Sequence, residues 1–350
     1  MIRQFDIRDV SVVQRLSPLG QALAYEPVAV EGISPLPEAL RSYAAGGIDN
    51  RLVMVRRVRE PEVEAFGMLQ MMSDDAGESP SPRRFGALLY IAPTPHDEAV
   101  AAAWIDLVQA MVSQAAERGA VHVIAEAPAE GYELGALQIA GFSPLVHQDI
   151  MKLARIPEEL EPVEVNGLRE QRDADDPLLK LLAMRTVPKP IQKAGSSTDL
   201  TRSMRRVDCG FVLFEQGELV GHVAFRRGRR GYGMHTMFLH AAESLAEGML
   251  THALSRLCGR SHKRPVYCTI PSYQSWMLPP LDRLGFSHVT SNVLMIRHTA
   301  ATVQQPVWSI DAKTVPGRVA RSRPNVHHSR VLPRAGRRPK PDKRGAKLPL

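Results

Sequence analysis

The stretch from Phe85 to Phe142 reads strand, helix, strand, helix, and it occurs twice in the chain. Phe85 to Ala92 is an apolar run of strand length, stopped by the turn Pro93-Thr94-Pro95. Val100, Trp104, Leu107, Val108, Met111, Val112 and Ala115 follow at spacings of three and four, which makes one apolar helix face, ended by Gly119. Val121 to Ala125 is the next strand, a short helix starts at about Glu133, and Gly141-Phe142 closes the block. Downstream, Met234 to Leu239 is the strand and Leu245, Met249, Ala253, Leu254 and Leu257 the helix stripe. Val266 to Ile270 and Gly285-Phe286 complete the copy. Gly141-Phe142-Ser143 precedes Met151 by the spacing that separates Gly285-Phe286-Ser287 from Met295. Ile2-Arg3 and Leu168-Arg169 open the two segments, each followed by an Asp-bearing turn and a helix. Such a chain uses one fold twice.

A length of 350 residues suits two separate cores. The net charge of +7 is unevenly spread: residues 301–350 carry 12 Lys/Arg against 2 Asp/Glu, while residues 1–300 carry 32 against 35. From about Val303 the hydrophobic periodicity ends, and basic residues alternate with Pro and Gly, so residues 303–350 read as disordered. With no aromatic residue from Arg318 to Lys347, this tail either binds nucleic acid without sequence selectivity, through counterion release, or only solubilises. No stretch reaches the roughly 18 uncharged apolar residues of a membrane span. The first residues hold no apolar signal core, and Cys209, Cys258 and Cys268 form no Cys-x-x-Cys. The expectation is a cytoplasmic protein without a metal knuckle.

In chain order, residues 1–7 read as a strand, Val10 to Tyr25 as a helix, and Pro35 to Ala45 as a second helix with Pro at its start. Arg51 to Val58 and Glu64 to Met72 are strands, Ser73 to Arg84 is a mobile loop, and Leu145 to Leu153 ends the first unit as an edge hairpin. Ile156 to Pro162, acidic and twice broken by proline, is a linker. Pro177 to Met184 is a helix capped by Asp175 or Asp176, and Val187 to Thr201 is irregular. Phe211 to Phe225 is a hairpin about Gln216-Gly217. The connection Arg226-Arg227-Gly228-Arg229-Arg230 is either solvated or a holder of phosphates.

This order of elements, with the two Gly-Phe pairs, resembles the GNAT (GCN5-related) N-acetyltransferase superfamily over nearly all of 1–154 and, less closely, over 165–298. The resemblance implies an α/β fold of two tandem GNAT-like domains, each a mixed, mostly antiparallel sheet flanked by helices, plus the disordered basic tail. The expected division is domain 1 at 1–154, a linker at 155–166, domain 2 at 167–300 and the tail at 301–350. Acetyl-CoA is the implied cofactor, its pyrophosphate at the start of the helix after the fourth strand, where free N–H groups and the helix dipole favour an anion.

Both copies depart from the family's Gln/Arg-x-x-Gly-x-Gly/Ala signature. His96, Ala99 and Ala101 stand at those places in the first copy, and Glu243, Ala246 and Gly248 in the second. Thr94-Pro95-His96-Asp97 reads as N-cap, N1 proline and acidic N3, while Ser244-Leu245-Ala246-Glu247 fits a capping box. Each cap is worth about 0.5–2 kcal/mol. The second copy keeps Ser244, Ala246 and Gly248, small enough for close backbone approach. Phe238, Leu239, Ser244, Ala246, Gly248 and Gln274 are therefore the expected cofactor contacts. Where the family often has a Tyr to protonate the departing thiolate, this chain has Leu137 and Leu281; Tyr273, beside Gln274, offers a phenol instead. His235 and Glu126 are the candidate bases, on strands that face the cleft. Two functions follow: transfer of an acetyl group to the amine of a small molecule or peptide, or a catalytically inactive scaffold whose tail contacts nucleic acid.

Overall fold

The computed structural model describes residues 1–46, 50–57, 63–74, 83–158, 160–193, 207–261 and 263–299. The basic tail and its nucleic-acid contact lie outside the described residues, as do most of the loop expected from Ser73 to Arg84 and the segment 194–201. Both halves begin with the same device. After β1 (Ile2–Gln4), the Arg3 guanidinium donates to Asp9 at 2.9 Å, and the Asp6 amide donates to the same carboxylate at 3.0 Å. After β8 (Leu168–Glu170), Arg169 donates to Asp175 at 2.6 and 2.8 Å, and the Arg172 amide does so at 2.8 Å. Both carboxylates are buried, and each bends the chain into the helix that follows: α1 (Val10–Leu16) and, in the second half, α6 (Asp176–Thr186). Asp175 does stand at the N-cap position of α6, but its carboxylate serves Arg169 and Arg172 rather than the helix.

The first helix stops at Leu16 rather than Tyr25, because Pro18 and Gly20 follow. The chain runs on as β2 (Gln21–Ala22) and then forms an unforeseen helix, α2 (Tyr25–Glu31), with Pro27 tolerated in its first turn and Gly32 ending it at φ +63°. Next come α3 (Pro35–Ala44) and the antiparallel strands β3 (Arg51–Arg56), β4 (Ala65–Asp74) and β5 (Arg83–Ala92). Helix α4 (Glu98–Glu117) returns the chain to β6 (Ala120–Pro128), parallel to β5, and α5 (Tyr132–Ile139) leads to β7 (Ser143–Leu153). In the second half α7 (Lys189–Lys193) precedes β9 (Cys209–Glu215) and β10 (Glu218–Arg227), joined by Gln216 and Gly217 at positive φ, the backbone a two-residue hairpin needs. Strand β11 (Tyr232–Phe238), α8 (Glu243–Ser261), β12 (Val266–Pro271), α9 (Leu278–Arg283) and β13 (Ser287–His298) complete it.

All strands join one sheet in the order β1-β3-β4-β5-β6-β13-β7-β12-β11-β10-β9-β8, with β2 on β5. The halves have exchanged their last strands. Strand β13 runs antiparallel to β6, from Asn292 opposite Pro128 to His298 opposite His122, and β7 runs antiparallel to β12, from Leu153 opposite Val266 to Gln148 opposite Pro271. The edge hairpin expected from Leu145 to Leu153 is instead one strand deep in the sheet. Its apolar residues account for the placement: Met151 and Leu153 enter the second core, while Val293 and Met295 of β13 enter the first. Residues Met1–Thr302 accordingly form one compact unit. Helix α4, which carries Asp106, is long and apolar enough to cross a membrane by length and composition; its apolar face is buried in the first core.

In the Arg226 to Arg230 connection Arg227, Arg229 and Arg230 are exposed, while the segment is tied to the first half. Arg226 donates to Glu31 at 3.0 Å, Arg229 to the Glu31 carbonyl at 3.1 Å and to Glu38 at 3.2 Å, and the Arg230 amide to the Val30 carbonyl at 2.9 Å. Gly228 sits so close to the Val30 backbone that a Cβ would overlap it. Acidic Glu31 and Glu38 of the first half thus hold a basic segment of the second.

The shared ladder predicts coupled unfolding. Met295→Ala, from a fully buried site, should cost about 2–4 kcal/mol. In urea, with Trp308 replaced by Phe, the Trp104 and Trp276 fluorescence transitions should shift together; two separated midpoints would contradict a shared core.

Candidate active site

Each half has one pair of parallel strands that begins together and then parts. Strands β5 and β6 are paired only at Arg84 with Ala120, Gly86 with Val123 and Ala87 with Ile124. Strands β11 and β12 are paired only at Tyr232 with Val266, Gly233 with Tyr267 and Met234 with Cys268. Beyond these residues each pair opens beside the start of a long helix.

The first opening is filled by the chain itself. Leu23 donates its amide to the Leu89 carbonyl at 2.9 Å, and the Leu23 carbonyl accepts from Glu126 N–H at 2.7 Å. The Leu19 carbonyl accepts from Thr94 N–H at 2.7 Å, and β2 pairs with Tyr90 and Ile91. This segment can lie so close only because residue 20 is glycine: a Cβ there would stand 2.5 Å from the Ala92 Cβ and the Ile91 carbonyl oxygen. The helix start is closed as well. Asp97, not Thr94, is the N-cap of α4, and its carboxylate accepts from Val100 N–H at 2.8 Å; Pro95 lies outside the helix. Trp104 Nε1 donates to the Pro93 carbonyl at 2.6 Å and fixes the approach. The strand groups at this opening, the Leu89 carbonyl and the Glu126 amide, and the Val100 amide of the helix start are thus occupied by the chain itself, which does not fit acetyl-CoA lying between these strands.

The second opening differs at each of these points. Helix α8 begins at Glu243, with Ala246 N–H bonded to the Ala242 carbonyl at 2.9 Å. Ala242 therefore holds the cap position without a side-chain oxygen to offer, and Ser244 lies inside the first turn, so the expected capping box does not form. Glu243 and Glu247 are turned to Arg283, at 3.1 and 2.8 Å. Leu239 N–H donates to Val220 of β10 at 2.8 Å, so by strand alternation the N–H and C=O of Phe238 face the opening. Gln274, 3% exposed, donates from Nε2 to the Phe238 carbonyl at 3.3 Å, while its Oε1 has no partner. Ser244 is exposed, Ala246 is packed in the second core, and Gly248 lies against Val165. Tyr273, partly buried beside Gln274, has its phenol pushed up to about 12 by burial. Among the described residues, an uncapped helix start, the inward Phe238 N–H and a buried acceptor lacking a donor fit the phosphates and amides of acetyl-CoA.

On the sheet face away from α4 and α8, polar side chains form a row across five adjacent strands: Glu126 on β6, Asn292 on β13, Gln148 on β7, Thr269 on β12 and His235 on β11. Helix α2 covers the row. Tyr25 N–H donates to Glu126 Oε2 at 2.9 Å, Asn292 Nδ2 donates to the same oxygen at 3.4 Å, and the Thr269 hydroxyl donates to Glu26 Oε2 at 3.0 Å. Glu26 lies over Gly233, which has no Cβ to meet it. The rings of Tyr25 and Tyr267 meet edge to face at 6.4 Å. Burial pushes the Glu26 carboxyl up to about 7, Arg226 and Thr269 acting against it and Glu126 with it. Burial also raises Glu126. It lowers His235 to about 4 and His222 to about 3, so both imidazoles are neutral. Glu126 and His235 thus share one face, Glu126 on a first-half strand, while Tyr273 and Gln274 follow the end of β12. Glu26 escaped the sequence reading together with its helix; the signal available was Pro27 and Gly32 bracketing a turn of helix.

No family model and no curated protein sequence matches the chain. Among solved structures it is similar to a GCN5-related N-acetyltransferase from Sphaerobacter thermophilus, at TM-score 0.51 and 14% identity, over 86% of this chain and 96% of that one. It is also similar to the tandem GNAT protein from the clavulanic acid biosynthesis pathway, at TM-score 0.45 and 15% identity, over 86% and 99% of the two chains. The fold is therefore the GNAT fold, used twice, as the order of elements implies.

Two substitutions examine this geometry. Gly20→Val should push the segment off β5 and cost at least about 2 kcal/mol in chemical denaturation. Glu26 titrates higher in the folded chain than in the unfolded one, so its contribution to stability is present below pH 4.5 and is lost as pH rises through about 7. Glu26→Gln should therefore raise stability at pH 8, by about 2 kcal/mol, and change it little at pH 4; a gain of equal size at both values would contradict a shifted carboxyl.

Proposed function

We propose that the chain is an acyl-CoA-dependent N-acyltransferase, with the second half as the cofactor site and the first as its support. One contrast carries the reading: the opening between β5 and β6 is filled by residues 19–23, whereas among the described residues that between β11 and β12 keeps the inward Phe238 N–H and an uncapped helix. Bound acetyl-CoA would supply an activated acyl group for an amine.

The chain's residues then have definite tasks. The first-turn amides of α8, around Ser244, hold the pyrophosphate with help from the helix dipole. Gln274 Oε1 accepts from an amide N–H of the cofactor arm, which meets its unpaired valence. Phe238 and Leu239 present the strand end against which that arm lies. Tyr273, neutral at physiological pH, is the proton donor for the departing thiolate. His235, a weak base held neutral by burial, orients the amine through its unpartnered Nδ1, and proton acceptance falls to a carboxylate of the polar row. Arg283, by pairing with Glu243 and Glu247, reduces the repulsion an incoming anion would meet.

Acetyl-CoA should raise the melting temperature saturably, since a ligand bound only by the folded chain stabilises it. Ser244→Glu, at an exposed position, should weaken binding at least about tenfold, while Ser244→Ala should leave it within about twofold. No shift at millimolar acetyl-CoA would remove this function.

A further inference from the structure

We propose that the outer face of α6 is an interface on which two copies of this chain pair, their α6 helices antiparallel about a two-fold axis near Leu181. A surface helix normally turns apolar residues to the core and polar ones to solvent. Helix α6 is apolar on both sides. Leu179, Leu182 and Ala183 pack inward with Val212, Leu219 and Met237. Leu178, Leu181 and Met184, spaced by three and so on one outer face, are 40, 50 and 65% exposed. The first half shows that the fold does not require this. Asp9 and Asp175 open the two helices alike, so α1 and α6 can be laid residue on residue. Arg15, paired with Glu64, then stands where α6 has Leu181, and exposed Ser11 and Gln14 complete a polar face on α1. One fold used twice thus shows solvent a polar helix in one copy and an apolar one in the other. Adjoining apolar side chains left in solvent mark an interaction surface.

The charges beside the stripe indicate the occupant. Asp173 and Asp176 are exposed at the start of α6, Lys180 along its flank and Lys189 just beyond its end. Arg185 is already paired with Glu218 of its own chain. A two-fold axis at Leu181 sets Leu178 of one copy beside Met184 of the other. It also brings the acidic start of each helix toward Lys180 and Lys189 of its mate, and opposes the two helix dipoles favourably. A parallel arrangement would instead set start on start and like charge on like. The face is therefore complementary to itself, the property of an isologous contact, which closes at two copies. One helix per chain makes a small contact, so pairing depends on concentration. Nothing in this inference draws on the acyl-transfer function.

Sedimentation velocity of the full chain between about 1 and 100 µM should show the mass rising from one chain to two. Leu181→Glu should weaken pairing at least about tenfold, since it places a charge inside the contact. Ile139→Glu, at a 70% exposed apolar residue of α5, should leave pairing unchanged. Charge reversal tests the direction. One variant carries Asp173→Lys with Asp176→Lys, another Lys180→Glu with Lys189→Glu. Each alone should pair at least about tenfold more weakly than the wild type, and an equal mixture of the two should recover pairing. Every changed residue is exposed, so all variants should keep a cooperative melt. A monomer at every concentration, a dimer indifferent to Leu181→Glu, or a mixture that fails to pair overturns the proposal.

Discussion

The backbone ladders between β6 and β13 and between β7 and β12 carry the rest of this structure. Each places the last strand of one half against the sheet of the other. Neither strand is an edge, so the hydrogen-bonding groups of the last strands are met inside the sheet. The exchange also gives each half part of the other's core, through Met151 and Leu153 in one direction and Val293 and Met295 in the other. A side effect matters for chemistry. The exchanged strands bring Gln148 and Asn292 side by side between Glu126 and Thr269, and so make one continuous polar row from residues that a single domain would keep apart.

Two copies of a fold have met different fates at the same place. In the first, glycine at position 20 permits a strand of the chain to enter the opening, and Asp97 takes an amide at the helix start. In the second, alanine at the cap position and an unpaired Gln274 oxygen leave both features available among the described residues. The first half supplies a different service. Its α2 reaches over β11 and β12, with Arg226 and Arg229 answering Glu31 and Glu38 from the far side. Burial of Glu26 in that contact costs stability, a cost expected of functional sites rather than of simple packing.

The duplication was legible because both copies repeat their punctuation. Gly141 and Gly285 adopt φ of +91° and +85°, and Phe142 and Phe286 close alike on Leu137 and Leu281 at 2.9 and 3.0 Å. The Arg3 and Arg169 turns and the Gln216-Gly217 hairpin were legible for the same reason: each is made by residues near one another in the chain. Helix α2 was missed because seven residues with a proline give no periodic signal. The caps at Thr94 and Ser244 were misplaced because a capping pattern fits several frames, and the choice falls to how the preceding strand enters the helix.

The sequence by itself determined a twice-used α/β fold and the end of periodicity near Val303, since periodicity and turn residues act over a few positions. Tertiary structure alone decided which strand lies beside which, because the core that Met151 and Leu153 of β7 enter is made by residues far along the chain. It likewise decided that Leu23 and Tyr25 bond to Glu126, contacts between residues about a hundred positions apart that no local pattern encodes.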